Sequence, residues 1–122
     1  MIDRGWGEAF AREWVEAWNA HDLDRVLSHY KDDFEMMSPL IVDWLNVPGG
    51  RLKGKDAIRS YWARGLAATP NLRFELLSVM VGVNSLAIQY RSATARRSVI
   101  ELIEFDEHRL GVRAEALYGP PD

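Results

Sequence analysis

The sequence predicts an α+β fold: a cone-shaped barrel of a strongly bent antiparallel sheet, with three helices on its concave face. Three observations lead there. Apolar residues recur at the helical period through the first half of the chain and at the strand period of two from Leu72 onward. The elements run helix, helix, strand, helix and then four strands joined by short polar turns, an order that gathers helices on one face of an antiparallel sheet. Finally, 122 residues, 48% hydrophobic and 27% charged, suit one domain over residues 1–122, with a core and a modest pocket.

Each element has its own signal. Trp6, Phe10, Trp14, Ala17 and Trp18 share a stripe over residues 6–20, while Arg12, Glu13 and Glu16 fall off it. Asp22 caps a shorter helix whose Leu23, Val26, Leu27 and Tyr30 face inward, and Lys31-Asp32-Asp33 breaks it. Phe34 to Ser38 reads as a strand stopped by Pro39. From Leu40 to Lys53 the chain is apolar but irregular. It predicts a loop folded across a cavity mouth, with Trp44 or Leu45 touching ligand or core and Gly49 and Gly50 as the hinge. Gly54-Lys55-Asp56 opens the third helix, which buries Ala57, Ile58, Tyr61, Trp62 and Leu66 and ends at Thr69-Pro70-Asn71.

Four alternating runs follow. Leu72, Phe74 and Leu76 begin the first, which continues to Val83 with an offset near Leu77-Ser78 that predicts a bulge. Leu86, Ile88 and Tyr90 mark the second. In the third, Val99, Glu101, Ile103 and Phe105 share one face, and Val112, Ala114, Ala116 and Tyr118 do so in the fourth.

Composition excludes several functions. With 15 basic against 18 acidic residues, the chain lacks the basic excess that phosphate backbones require, so no nucleic-acid partner is expected. It has no cysteine, which removes disulfides and thiolate chemistry. No apolar run approaches the ~20 residues of a membrane span, and the opening residues carry no charged-then-apolar leader. Cytoplasm is the expected compartment. His21, His29 and His108 are too scattered for a metal site, and Arg96-Arg97 reads as a solvated pair at a turn. No Gly-x-Ser-x-Gly is present to activate a serine nucleophile.

Several stretches, in order, resemble the nuclear transport factor 2-like superfamily, and within it the SnoaL-like group of bacterial proteins and the ketosteroid isomerases. They are Trp18-Asn19-Ala20-His21-Asp22-Leu23-Asp24, Tyr30-Lys31-Asp32-Asp33-Phe34, Ser38-Pro39, Gly54 to Trp62, and Ala116-Leu117-Tyr118-Gly119. The resemblance covers nearly the whole chain and implies a cone with an internal pocket and no cofactor. It implies chemistry less firmly, because this fold hosts isomerases, cyclases, dehydratases and members without a reaction. Ketosteroid isomerase resemblance would put an aspartate base at Ser38, a tyrosine donor at Trp14 and a neutral acid at Glu101. Only the third role is kept, by glutamate.

Glu101 interrupts the apolar face of Val99, Ile103 and Phe105, where burial would raise its pKa and suit it to acid–base work. Two bland readings stand beside that one: the face is the outer one, or Glu101 pairs with Arg91 or Arg113. Ser38 and Met36 share a face beside the expected pocket mouth, and Ser38 reads equally as a turn residue. Trp14, Trp18, Tyr30, Trp62, Tyr90 and Tyr118 are expected to converge inside, as plain core or, with small Ala114 and Ala116 opposite, as the walls of a site for a small apolar molecule. Trp44 would join them from the loop. Two functions follow: cofactor-free proton transfer by Glu101 on a hydrophobic metabolite, as an isomerase or cyclase would do it, or a non-catalytic ligand-binding or dimerising domain. Outward Ile100, Leu102 and Leu117 predict a homodimer through the outer sheet face, with Gln89, Arg91, Arg113 and Glu115 as polar rim.

Overall fold

In the computed structural model, which describes residues 1–122, Asp3 starts the first helix by accepting the Trp6 N–H at 3.1 Å. Helix α1, Arg4–Asn19, buries Phe10, Trp14 and Trp18 as their spacing requires. Its end is tied to the sheet: the Asn19 side-chain amide donates to Phe74 O at 2.9 Å and accepts the Phe74 N–H at 2.7 Å. Asp22 caps α2, Leu23–Leu27, by accepting the Arg25 N–H.

Strand β1 spans Tyr30–Met37, so Tyr30 lies on a strand and not on the second helix. The apolar stretch after it is not a loop. Residues Pro39–Leu45 form α3, and Arg51–Lys53 form β2, antiparallel to β1. The physical reason is local: Ser38 Oγ accepts the Leu40 N–H, Pro39 fits the first helical turn, and Asn46 ends the helix in the left-handed region at φ 56°. Gly50, read as a hinge, is pinned, since its carbonyl accepts the Ser38 N–H at 2.9 Å.

Helix α4, Lys55–Ala68, is followed by β3, Phe74–Val81, β4, Ser85–Ser92, β5, Arg97–Phe105, and β6, Gly111–Tyr118. The strand order is β2-β1-β6-β5-β4-β3, which leaves the sheet open at β2 and β3. The expected α+β architecture is present, with a fourth helix and one parallel pairing, β1 with β6, added to the antiparallel ones. Leu76 pairs with Tyr90 and Ser78 with Gln89, so the bulge falls at Leu77 as the offset predicts. α1 packs over β3, and α4 over β1 and β2. Gly111 lets Tyr30 lie against the sheet, where its ring stacks on Phe34 at 4.3 Å. No helix is long and apolar enough to cross a membrane.

Candidate functional site

Alternation along β5 turns Val99, Glu101, Ile103 and Phe105 inward, all buried. Glu101 pairs across the ladder with Ile88 on β4 and with Ala116 on β6. Ala116 is too small to fill the space in front of it. A cavity of about 250 Å³ opens there, walled mainly by apolar side chains from the helices and the sheet.

Glu101 lies in that wall, 3% exposed, with its Oε2 buried and without a hydrogen-bond partner. Neither bland reading of it survives. The face is the inner one, Arg91 pairs with Asp122, and Arg113 pairs with Glu104 at 2.7 Å. Burial alone pushes the carboxyl from its ordinary 4.5 up to about 8, because ionising it would place a charge among apolar side chains away from bulk water. The hydroxyls of Tyr30, Tyr61, Tyr90 and Tyr118 are likewise raised, first by burial, with the negative charge of an ionised Glu101 adding to the effect in each case.

Most of the sequence-selected residues meet at this cavity. Trp14 and Trp18 come from α1, Trp62 from α4, Met36 from β1 and Trp44 from α3, while Tyr90 and Tyr118 come from β4 and β6. The indole N–H of Trp18, like Oε2 of Glu101, is buried without a partner. Tyr30 and Ser38 need correcting, because both sit behind the wall. The Tyr30 hydroxyl accepts the Trp14 indole N–H at 3.0 Å, and the Ser38 hydroxyl is occupied by the Leu40 N–H and by the Tyr61 hydroxyl, which donates at 3.3 Å.

Several further side chains complete the wall, and of these Tyr61 and Arg97 bring a phenol and a cation to it. Tyr61 was assigned to the core, yet it lines the cavity one helical position from Trp62. Arg97 departs from the solvated place expected of it. In the structure it is half-buried, lines the cavity and lies over the Tyr118 ring at 4.4 Å. Its place on the face of Val99 and Glu101, two and four residues on, was the available sign. His29 faces Glu13 at 3.2 Å, and no cluster of three histidine, aspartate or glutamate side chains is arranged to hold a metal.

The model of the SnoaL-like domain family matches residues 11–111. A SnoaL-like protein of unknown function from Burkholderia thailandensis is 45% identical over 98% of either chain, with a TM-score of 0.93. AclR, a hydroxylase candidate from Streptomyces galilaeus, is 18% identical over 96% of this chain and 81% of its own, with a TM-score of 0.73. A ketosteroid isomerase candidate from Kribbella flavida is 14% identical over 93% of this chain and 78% of its own, with a TM-score of 0.66. At such identities the latter two show a shared fold and nothing finer. No curated protein matches the chain.

Proposed function

The chain belongs to the SnoaL-like domain family, and on that premise we propose that its cone binds a small apolar molecule against Glu101, which moves a proton in a cofactor-free, isomerase- or cyclase-like reaction. One observation carries the reading: an acid buried in a cavity wall, with no ion pair and an unpartnered oxygen. Such a group is costly to keep unless something uses it. With a pKa of about 8 it is a neutral acid at pH 7, able to donate to a carbonyl or hydroxyl oxygen, and basic enough as carboxylate to take a proton back. The free Trp18 N–H offers a second donor to an oxygen of the same ligand.

The experiment is a carbon-detected NMR titration of the Glu101 carboxyl, joined to native mass spectrometry of the purified protein. A midpoint near 8 and a retained small apolar molecule are expected. A midpoint near ~4.3 would mean a solvated carboxyl and would sink the acid–base role. A second reading, binding without chemistry, is favoured by Ser38: it stands where the isomerase resemblance wants an aspartate base, and its hydroxyl is taken up in capping α3. A retained ligand that incubation leaves chemically unchanged would select this second reading.

The outer sheet face supports a homodimer. Leu102 and Leu117 are 40% and 45% exposed, and Met80 joins them across Ala87, which pairs with both Met80 and Leu102. Arg113, Glu104 and Glu115 border this centre with both signs of charge, so one face can meet its own copy about a twofold axis. Each large apolar side chain fully buried contributes about 1.5–3 kcal/mol before association costs. Sedimentation equilibrium at micromolar concentration should give twice 13.9 kDa, falling to the single-chain mass when Leu102→Glu and Leu117→Glu are combined. A dimer that persists in the double variant would put the contact elsewhere.

A further inference from the structure

We propose that the cavity takes a small amphipathic carboxylate, its apolar body among the tryptophans and its anionic group on the Arg97 guanidinium at the mouth. This rests on the small-molecule reading above and adds the charge and orientation of the ligand.

Arg97 lacks a partner. Arg25 and Arg91, also half-buried, each hold a carboxylate, from Glu13 and Asp122 respectively. Half-buried Arg109, which likewise lies over a ring and has no ion pair, gives an N–H to Met1 O at 3.2 Å and lies outside the cavity. Arg97 forms no ion pair and has only the face of Tyr118 beneath it. A guanidinium drawn partly out of water calls for an anion, and its planar fork fits a carboxylate better than any neutral group. It is the one cation in the wall of the cavity, and Glu101 is the one acid.

Position sets the orientation. Arg97 begins β5 next to the turn at residues 93–96, whose exposed Ala95 also lines the cavity, so this end meets solvent. Glu101 lies four residues deeper on the same face, at most roughly 13 Å along a strand that rises ~3.3 Å per residue. Val99, Trp14, Trp62 and Phe74 wall the space and offer no charge. A carboxylate carried to the deep end would leave its charge unpaired among rings, away from Arg97, so the apolar end enters first and the carboxylate stays on Arg97. The deep end then presents a neutral oxygen or carbon to Glu101.

Isothermal titration calorimetry at neutral pH tests this with matched probes: decanoate against decan-1-ol, and 2-naphthoate against 2-naphthylmethanol. The wild type should bind each acid about tenfold or more tighter than its alcohol, with the preference shrinking in high salt. Arg97→Gln should bring that ratio to about one, and Arg97→Lys should keep part of it. Arg97→Met gives the same readout if the glutamine variant does not fold. Alcohols that bind as tightly as acids, or a ratio unchanged in Arg97→Gln, would overturn this inference and leave the cavity reading standing. Absence of binding by all four probes would remove both.

Discussion

Glu101→Gln is expected to abolish the fall in stability that the wild type shows between about pH 4.5 and about pH 8. Below that window the carboxyl is protonated whether the chain is folded or unfolded. Within it, the unfolded chain ionises Glu101 while the folded one, with the group raised from 4.5 to about 8, keeps its proton. The folded state then holds more protons, so stability drops as pH rises and levels off above about 8. A shift of this size corresponds to a loss on the order of 5 kcal/mol, a large share of the ~5–15 kcal/mol that stabilises a domain. Glutamine cannot ionise and fills nearly the same volume. Urea midpoints at about pH 5 and about pH 9 should therefore separate for the wild type and stay close for the variant, once the titration of the other carboxylates, common to both, is subtracted. Parallel profiles would place Glu101 in contact with water. In the proton-transfer reading the same variant loses about 10²–10⁴ in turnover, while ligand affinity changes far less.

Gly111→Ala is expected to lower stability by about 1–3 kcal/mol, which thermal unfolding would show as a fall of several degrees. A Cβ at this position would stand 2.6 Å from Cδ1 of Tyr30 and 3.3 Å from Cγ2 of Ile103. Neither side can yield easily. Tyr30 is stacked on Phe34 and held through its hydroxyl by Trp14, while the Gly111 N–H donates to His29 O at 2.8 Å. Gly49→Ala is the control, since nothing lies within 4 Å of its added methyl. Equal melting temperatures for the two variants would mean that Tyr30 moves freely, and the packing argument would fail.

How much could be read in the sequence depended on what kind of information each feature needs. Which side chains share a face is local: period two on β5 was enough to group Glu101 with Val99, Ile103 and Phe105, though not to say that this face looks inward, and helical spacing was enough to bury Trp14 and Trp18. The same rule would have grouped Arg97 with Glu101, but its position beside a turn suggested solvent. The α3 segment misled because Leu40, Ile41, Val42, Trp44 and Leu45 leave almost no polar face, so no period shows. Its caps, Ser38 and Asn46, were the better guide. Hydrogen-bond partners were beyond reach. That the Tyr30 hydroxyl is taken by Trp14 and the Ser38 hydroxyl by Tyr61 depends on three-dimensional distances that no spacing encodes. Strand neighbours were equally hidden, because alternation assigns faces and says nothing about which strand lies alongside.

The parallel pairing of β1 with β6 bears on how the protein is made. β1 emerges from the ribosome early, yet its partner lies about 80 residues further along the chain. β3 through β6 pair only with sequence neighbours among themselves, so they can zip up as successive hairpins at small entropic cost. Until β6 is in place, the β1–β2 pair with α4 over it and the strands β3 to β5 with α1 over them have no strand joining them. The two parts therefore stay unjoined, with the inner face between them incomplete, until the last strand is made, the interval in which aggregation competes with folding and chaperones act. Met36, held on β1, and Tyr118, held on β6, can face each other only after that last docking, so the binding cavity is the final part of the molecule to come into being.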